Sequence, residues 1–261
     1  MKSKFFVLAV VILCLGIGIA IWWFIFGDPS HFVDGAARTN PKPGDLLGTV
    51  YTGGPLVGIL IGLTLMVVTF IVERMISLSR AQGRGNLPGF LKQVQLQLLS
   101  GNVEAAIDEC NKQRGSAASI LRSGLERYQQ VKSDPVYDTD KKLAEVKRAV
   151  DEATGLETPL LEKNLVALST IASISTMIGL LGTTIGMIRA FQALAKSGQA
   201  ASAVQLSIGI SEALMNTAGG LMAAILAIVA YNYFTNRVDS FVYMIEEATL
   251  SMMEILTVKT K

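Results

Sequence analysis

The feature that most constrains this chain is an apolar stretch at 165–234, in which a polar loop at 196–202 joins two long segments. Within it, about 25 consecutive residues between Lys163 and Arg189 carry no charge, and a helix needs about 20 apolar residues to cross a bilayer. Small residues and hydroxyls recur three or four positions apart in both segments. Lipid contact alone does not require this pattern, so it predicts two membrane helices that pack around something polar.

The composition excludes several classes of protein. Hydrophobic residues make up 51% of the chain and charged residues 17%, whereas a soluble domain has about 25% charged residues. The formal net charge of +2 gives no strongly basic surface for nucleic acid. Cys14 and Cys110 lie far apart, one in an apolar and one in a polar region, and His31 is the single histidine. We therefore expect no disulfide, no metal, no cofactor and no nucleic-acid partner.

An uncharged run at 5–26 follows Lys2 and Lys4 and ends near Trp22 and Trp23. Its length suits a membrane helix, and the tryptophans suit the aromatic belt at a membrane interface. A cleaved signal peptide is the alternative, although the apolar run is long for one and no Ala-x-Ala-like site follows it. We predict a retained transmembrane helix.

A further membrane segment at 55–73 carries Gly58 and Gly62. This spacing lets a neighbouring helix approach closely, although glycine is also common in membrane helices that contact only lipid. The polar segment at 27–54 contains several prolines and glycines, which predicts an irregular loop.

Between the membrane segments the apolar residues keep a helical spacing. They predict helices at 87–99, 103–113 and 117–131 and a fourth that begins at Thr139 or Asp140. We expect this fourth helix to continue into the next membrane segment, with a kink or break at Pro159. The fold class is therefore an all-α membrane protein with about four transmembrane helices, two of them long and extending into a helical cytoplasmic domain.

Charge at the segment ends sets the orientation. Basic residues are concentrated on the side of both termini, which the positive-inside rule assigns to the cytoplasm. The expected parts are an N-terminal transmembrane helix at 1–26, a periplasmic loop at 27–54, a transmembrane helix at 55–73, a cytoplasmic helical domain at 74–163, a two-helix core at 164–235 with its periplasmic loop at 196–202, and a cytoplasmic helix at 236–261.

Glu212 is the only acidic residue within the span of any predicted membrane helix. A carboxylate costs about 3 kcal/mol in hydrocarbon, so it should face protein or water. It either lines an ion path or lies near the outer interface and reaches water. Asn216 follows one turn later, and Thr217 borders the same sector. Hydroxyls are weaker evidence for a path, because membrane serines and threonines often bond only to carbonyls of their own helix.

Small residues form one stripe on each segment of the core in a helical projection. We expect these stripes to pack the two helices closely. The glycines assigned to this packing are Gly179, Gly182, Gly186, Gly209 and Gly220.

Two motifs in the core resemble those of a known family. They are Ile178-Gly-Leu-Leu-Gly-Thr183 and Gly209-Ile-Ser-Glu-Ala-Leu214, the second followed by matches at 216–218 and 230–234. Together they resemble the MotA/TolQ/ExbB proton-channel family, with ExbB-type members closest, and the resemblance covers roughly 55–234. Thr176 and Ile208 stand where ExbB-like sequences often have proline.

The resemblance implies a homo-oligomer, expected to be a pentamer, that lies in the bacterial inner membrane and contacts membrane lipid. Its pore would hold an ExbD-like dimer of single-span partners, whose aspartate takes up the proton. Thr183 and Thr217 would face that aspartate, with Glu212 as the pore-facing carboxylate and Asn216 beside it. Proton flow would then energise a TonB-like protein and outer-membrane transport.

Three other functions are compared with this one. A TolQ-like or other stator would use the same channel for envelope maintenance or motility. A non-conducting scaffold would use the polar stripes only for packing. An enzyme is not expected, because the spans contain no serine–lysine, histidine–acid or metal arrangement.

Overall fold

The computed structural model describes residues 2–134, 138–196 and 199–260. Within these ranges the chain is helical and contains no β-strand, which confirms the predicted all-α fold. Among the described residues, four apolar helical stretches are long enough to cross a membrane, namely Val7–Phe26, Pro55–Leu99, Thr139–Ala195 and Leu206–Lys259. The helices are α1 (Lys2–Ala20, continued by a π-helical turn at Ile21–Phe26), α2 (Leu46–Tyr51), α3 (Pro55–Gln82), α4 (Leu87–Leu99), α5 (Val103–Gln113), α6 (Ser116–Lys132), α7 (Thr139–Glu162), α8 (Leu165–Lys196) and α9 (Gln199–Thr260).

The chain forms two compact units, and α3 and α9 contribute residues to both. The first unit consists of Met1–Val72 and Asn164–Asn232, and the second of Glu73–Lys163 and Tyr233–Lys261. The apolar spans and the candidate site belong to the first unit. The second unit contains the helices that the sequence predicts outside the membrane.

In the first unit, α1 packs directly on α3 through glycines. A Cβ on Gly18 would lie 2.4 Å from the backbone nitrogen of Gly62 and 2.5 Å from the carbonyl oxygen of Gly58. The two backbones therefore touch, which a larger residue at any of these positions would prevent. The glycine pair on α3 contacts a helix, which is the first of the two roles considered for it.

The segment 27–54 is more ordered than a plain loop. It contains two 3₁₀ turns, Pro29–His31 and Gly35–Ala37, and then the short helix α2. The carboxylate of Asp45 caps α2 by accepting hydrogen bonds from the backbone N–H groups of Leu47 and Gly48 at 3.0 and 3.1 Å. Such a cap satisfies N–H groups that the first turn of a helix leaves free.

Two helix boundaries differ from the prediction. Helix α7 passes Pro159 and ends at Glu162, and the chain turns at Asn164, whose φ is +66°. Asparagine tolerates this left-handed conformation better than most residues, so the break falls there and not at the proline. Helix α9 begins at Gln199, so the loop expected at 196–202 is shorter, because the residues Gln199–Ser202 include no helix breaker. Residues 197 and 198 lie outside the described residues.

Helix α9 is continuous for 62 residues and joins the fourth membrane segment to the predicted C-terminal helix. Neither α8 at Thr176 nor α9 at Ile208 is interrupted. Both positions lack the proline that would remove a backbone donor and clash with the preceding turn.

The second unit has an apolar core formed by α4–α7 and the end of α9. Neighbouring helices along the chain pack together, and Gly124 on α6 leaves room for Val150 and Met252. Arg74 is almost fully buried in this unit and is neutralised by Glu73, and its Nη1 donates a hydrogen bond of 3.1 Å to the carbonyl of Leu161. The side chains most completely buried in the core include Leu98, Ile120, Leu121, Leu125, Val146, Val150, Met252 and Leu256.

Candidate functional site

Glu212 on α9 forms an ion pair with Arg189 on α8. Nη1 of Arg189 donates a hydrogen bond to Oε1 of Glu212. The side chain of Glu212 is 11% exposed, whereas that of Arg189 is 54% exposed. The nearly buried carboxylate is thus paired with a half-exposed guanidinium group. This pairing offsets part of the free-energy cost of removing the carboxylate from water.

Arg189 was not among the predicted site residues. It is the first charge after the uncharged run of α8, and Glu212 is the first carboxylate of α9. Matching opposite charges at similar depth on two consecutive antiparallel spans would have been the signal for this pair.

Asn216 is fully buried one turn after Glu212. Its Nδ2 donates hydrogen bonds to the carbonyl oxygen of Gly53 at 2.8 Å and to that of Glu212 at 3.0 Å. The Oδ1 atom of Asn216 makes no hydrogen bond to any residue that the structure describes. The amide therefore ties α9 to the end of the segment 27–54, which the sequence did not indicate.

Gly182 on α8 provides the space that the Asn216 side chain occupies. A Cβ on Gly182 would lie 2.2 Å from Cβ and 2.6 Å from Cγ of Asn216. Even alanine would therefore displace the amide or the helix. The motif that contains Gly182 thus positions Asn216.

The two threonines assigned to the proton path are bonded within their own helices. The hydroxyl of Thr183 donates to the carbonyl of Leu180 at 2.6 Å, and that of Thr217 donates to the carbonyl of Ala213 at 3.3 Å. Both side chains are half-buried. The single chain does not bring the two hydroxyls into a hydrogen-bonded relay with Glu212, so their part in a path stays a prediction about the assembled protein.

The five glycines assigned to helix packing lie in the seam between α8 and α9. A Cβ on Gly220 would be 2.8 Å from Cα of Gly179, and a Cβ on Gly186 would be 2.8 Å from the carbonyl oxygen of Gly209. Gly182 lies against Asn216 in the same seam. The two backbones are close enough that the Asn216 amide on α9 is fully enclosed by protein.

The site therefore joins four parts of the first unit. They are the seam of α8 and α9, the ion pair between Arg189 and Glu212, the Asn216 amide, and the turn at Gly53 and Gly54. Among the described residues, no group of three or more histidine, cysteine, aspartate or glutamate side chains could hold a metal ion. The chemistry that these residues can support is the placement and exchange of charge or protons inside a membrane.

Comparison with known proteins identifies the family. The profile of the MotA/TolQ/ExbB proton channel family matches residues 112–247. The Tol-Pal system protein TolQ of Pseudomonas aeruginosa is 38% identical over 123 residues, which cover 47% of this chain and 53% of that protein. An ExbB-like protein of Synechocystis sp. is 31% identical over 198 residues, which cover 76% of this chain and 88% of that protein.

The biopolymer transport protein ExbB of Salmonella typhimurium is 32% identical over 121 residues, which cover 46% of this chain and 45% of that protein. The chain thus spans about half the length of the TolQ and ExbB relatives and most of the Synechocystis protein. Relatives of both names occur, and the family match covers both motifs, the ion pair and the glycine seam. This chain belongs to the MotA/TolQ/ExbB proton channel family.

Proposed function

We propose that this chain is the proton-channel subunit of an ExbB-like motor in the bacterial inner membrane, which uses the proton motive force to energise TonB-dependent outer-membrane transport. The observation that carries the proposal is the enclosed acidic site in a member of a proton channel family. Glu212 and Asn216 lie in a glycine seam between two membrane helices, where lipid contact alone would favour neither residue.

In this proposal the chain works as a homo-oligomer, a pentamer, around the single membrane helices of an ExbD-like dimer. The partner's aspartate binds and releases the proton, and Thr183 and Thr217 face it. Their half-exposed positions on the single chain support this, because they leave the hydroxyl faces accessible to another helix. A charge that crosses the membrane potential releases about 2.3 kcal/mol per 100 mV, which suffices for packing changes of a few kcal/mol.

The proposed orientation has both termini in the cytoplasm. The basic residues beside the cytoplasmic ends support it. The segment 27–54 then faces the periplasm, and so does the end of the core at which Arg189 and Glu212 meet. The site stands near the entry side of a proton that moves inward.

A TolQ-like role is the second candidate, because the relatives include TolQ of Pseudomonas aeruginosa, at 38% identity, and TolQ of Haemophilus influenzae, at 44% over 93 residues. Both roles use the same channel site but different partners. The identity of the protein that co-purifies, and the transport or envelope defect of a deletion strain, separate them.

The decisive experiment isolates the chain with its natural partners and reconstitutes the complex in liposomes. We expect a homo-oligomer with a single-span partner and a proton flux that needs that partner. A homo-oligomer without partner-dependent flux would contradict the channel and support the scaffold.

A further inference from the structure

The N-terminal helix and the segment 27–54 lie outside the family match, yet they contact the rest of the first unit through Trp22. This side chain is 7% exposed. Its indole N–H donates a hydrogen bond of 3.2 Å to the carbonyl oxygen of Tyr51, and its ring stacks on the Tyr51 ring at a centroid distance of 4.8 Å and an angle of 10°. Trp22 therefore holds the end of α2 in two ways.

The carbonyl of Tyr51 is also part of the turn that contacts the channel site. The backbone N–H of Gly54 also donates to this carbonyl, at 3.0 Å. The carbonyl of Gly53, the residue before Gly54, accepts the hydrogen bond from Asn216 at 2.8 Å. One tight turn thus separates a hydrogen bond from α1 and a hydrogen bond from the buried amide of α9.

The same turn lies against the ion pair. Gly54 has a φ of +79°, and a Cβ on it would be 3.1 Å from Oε1 of Glu212 and 3.8 Å from Nη1 of Arg189. The backbone conformation favours glycine here, and a Cβ would require the Glu212 side chain to move by a few tenths of an ångström. The turn consequently covers one side of the carboxylate, which agrees with the low exposure of Glu212.

The segment 27–54 has further attachments that keep this turn in place. Phe32 contacts the Tyr51 ring edge-on at a centroid distance of 5.4 Å. Asp45 caps α2 and also bonds to Nδ1 of His31 at 2.8 Å. Because α1 is itself fixed on α3 by backbone contact at Gly18, the segment is anchored at both of its ends.

We propose that Trp22 and the Gly53–Gly54 turn are positioning residues for the channel site: they fix the Asn216 amide and shield the carboxylate of Glu212 from the outer side. The additional N-terminal helix thereby becomes part of the channel and not only a membrane anchor. This inference rests on the proposed function where it concerns proton flux, but its statement about the accessibility of Glu212 stands without it.

Two matched pairs of variants test the inference in the full-length complex. Trp22→Phe removes the indole N–H and keeps a ring on Tyr51, whereas Trp23→Phe makes the same change at a side chain that is 47% exposed. Gly54→Ala places a Cβ against Glu212, whereas Gly44→Ala, at a φ of +84°, imposes a similar backbone strain with nothing within 4 Å. The probe is a water-soluble carbodiimide with an amine nucleophile, which modifies carboxyl groups that water reaches, and the modification of Glu212 at one fixed pH is followed by peptide mass spectrometry.

We expect Glu212 to be modified about fivefold faster in Trp22→Phe than in Trp23→Phe. Losing a hydrogen bond of about 1 kcal/mol raises, by about that factor, the fraction of molecules in which the turn has moved away from the carboxylate. Gly54→Ala should likewise exceed Gly44→Ala. Equal rates within both pairs would overturn the inference. Proton flux in liposomes is measured on the same samples, and a wild-type complex without flux would contradict the proposed function while the modification rates still decide the positioning role.

Discussion

The side chain of Asn216 occupies the space that Gly182 leaves free, since a Cβ on Gly182 would lie 2.2 Å from Cβ of Asn216. Gly182→Ala should therefore displace the amide and weaken its hydrogen bonds to the carbonyls of Gly53 and Glu212. We expect a loss of about 1–3 kcal/mol of stability, as for other overpacked sites, and reduced proton flux. Thermal unfolding of the detergent-solubilised protein measures the first effect.

Gly155→Ala is the control for this substitution, because a Cβ at Gly155 on α7 meets nothing within 4 Å. It should leave stability unchanged or increase it, since alanine favours a helix by about 1 kcal/mol over glycine. Equal melting temperatures for the two variants would contradict this close fit of Asn216 against Gly182.

The ion pair between Arg189 and Glu212 makes the second prediction. Arg189→Gln leaves a carboxylate that is 11% exposed without its cation, so we expect destabilisation by about 1–2 kcal/mol, limited by the exposure of the arginine. Glu212→Gln in the same chain should restore part of this loss, which a double-mutant cycle measures. If the two substitutions were additive, the pair would have no energetic coupling.

Arg148→Gln provides the comparison, because Arg148 pairs with Glu145 and Glu152 at an exposed surface. Its effect on stability should be smaller than that of Arg189→Gln.

Glu212→Ala tests function as well as stability: we expect an assembled complex that no longer conducts protons. Normal flux in that variant would remove Glu212 from the path.

Thr183 and Thr217 lead to a third prediction that separates their two possible roles. Their hydroxyls bond within α8 and α9, so the double variant Thr183→Val, Thr217→Val should retain its assembly and most of its stability. If the hydroxyls line the path, partner-dependent proton flux is lost.

Thr184→Val is the matched control, because the Thr184 hydroxyl makes the same kind of bond, to the carbonyl of Leu181 at 2.7 Å, and lies outside the proposed path. It should conduct as the wild type does. Unchanged flux in the double variant would mean that both hydroxyls serve only their own helices.

Periodicity and uncharged length predict the long helices of this fold, but not the short helix α2 or the contacts of the site. The sequence predicts α4 and α5 with the bounds that they have, because a face of apolar residues repeats at helical spacing on each side of a polar break that ends in the cap residue Asn102. It also indicates Glu212 and Asn216, since polar groups are costly in hydrocarbon.

The partners of these residues could not be predicted in the same way. Asn216 bonds to Gly53, which is 163 residues away, and the acceptor is a backbone carbonyl that every residue carries. The ion pair spans 23 residues and depends on how α8 and α9 align across their connection. Such contacts are set by tertiary packing: no local pattern marks the Gly53 acceptor, and only opposite charges at similar depth on the two spans point to the ion pair.

Cys110 makes the last prediction, which concerns pH. Burial raises the pKa of this thiol on α5 to about 12, from an ordinary value of 9.0. At pH 8 the thiolate fraction of the folded protein is therefore about a thousandfold lower than that of the unfolded chain. Iodoacetamide, which reacts with thiolates, should leave Cys110 unmodified in the native protein and alkylate it after denaturation, as peptide mass spectrometry would measure.

The same difference sets a direction for stability. The neutral thiol is favoured in the folded state, so its contribution is fully present below pH 9 and is lost as the pH rises from 9 toward 12. Cys110→Ala removes the titrating group and should therefore show a smaller decrease in melting temperature than the wild type between pH 9 and 11. Rapid alkylation of the native protein at pH 8, or an identical decrease in the variant, would contradict the buried neutral thiol.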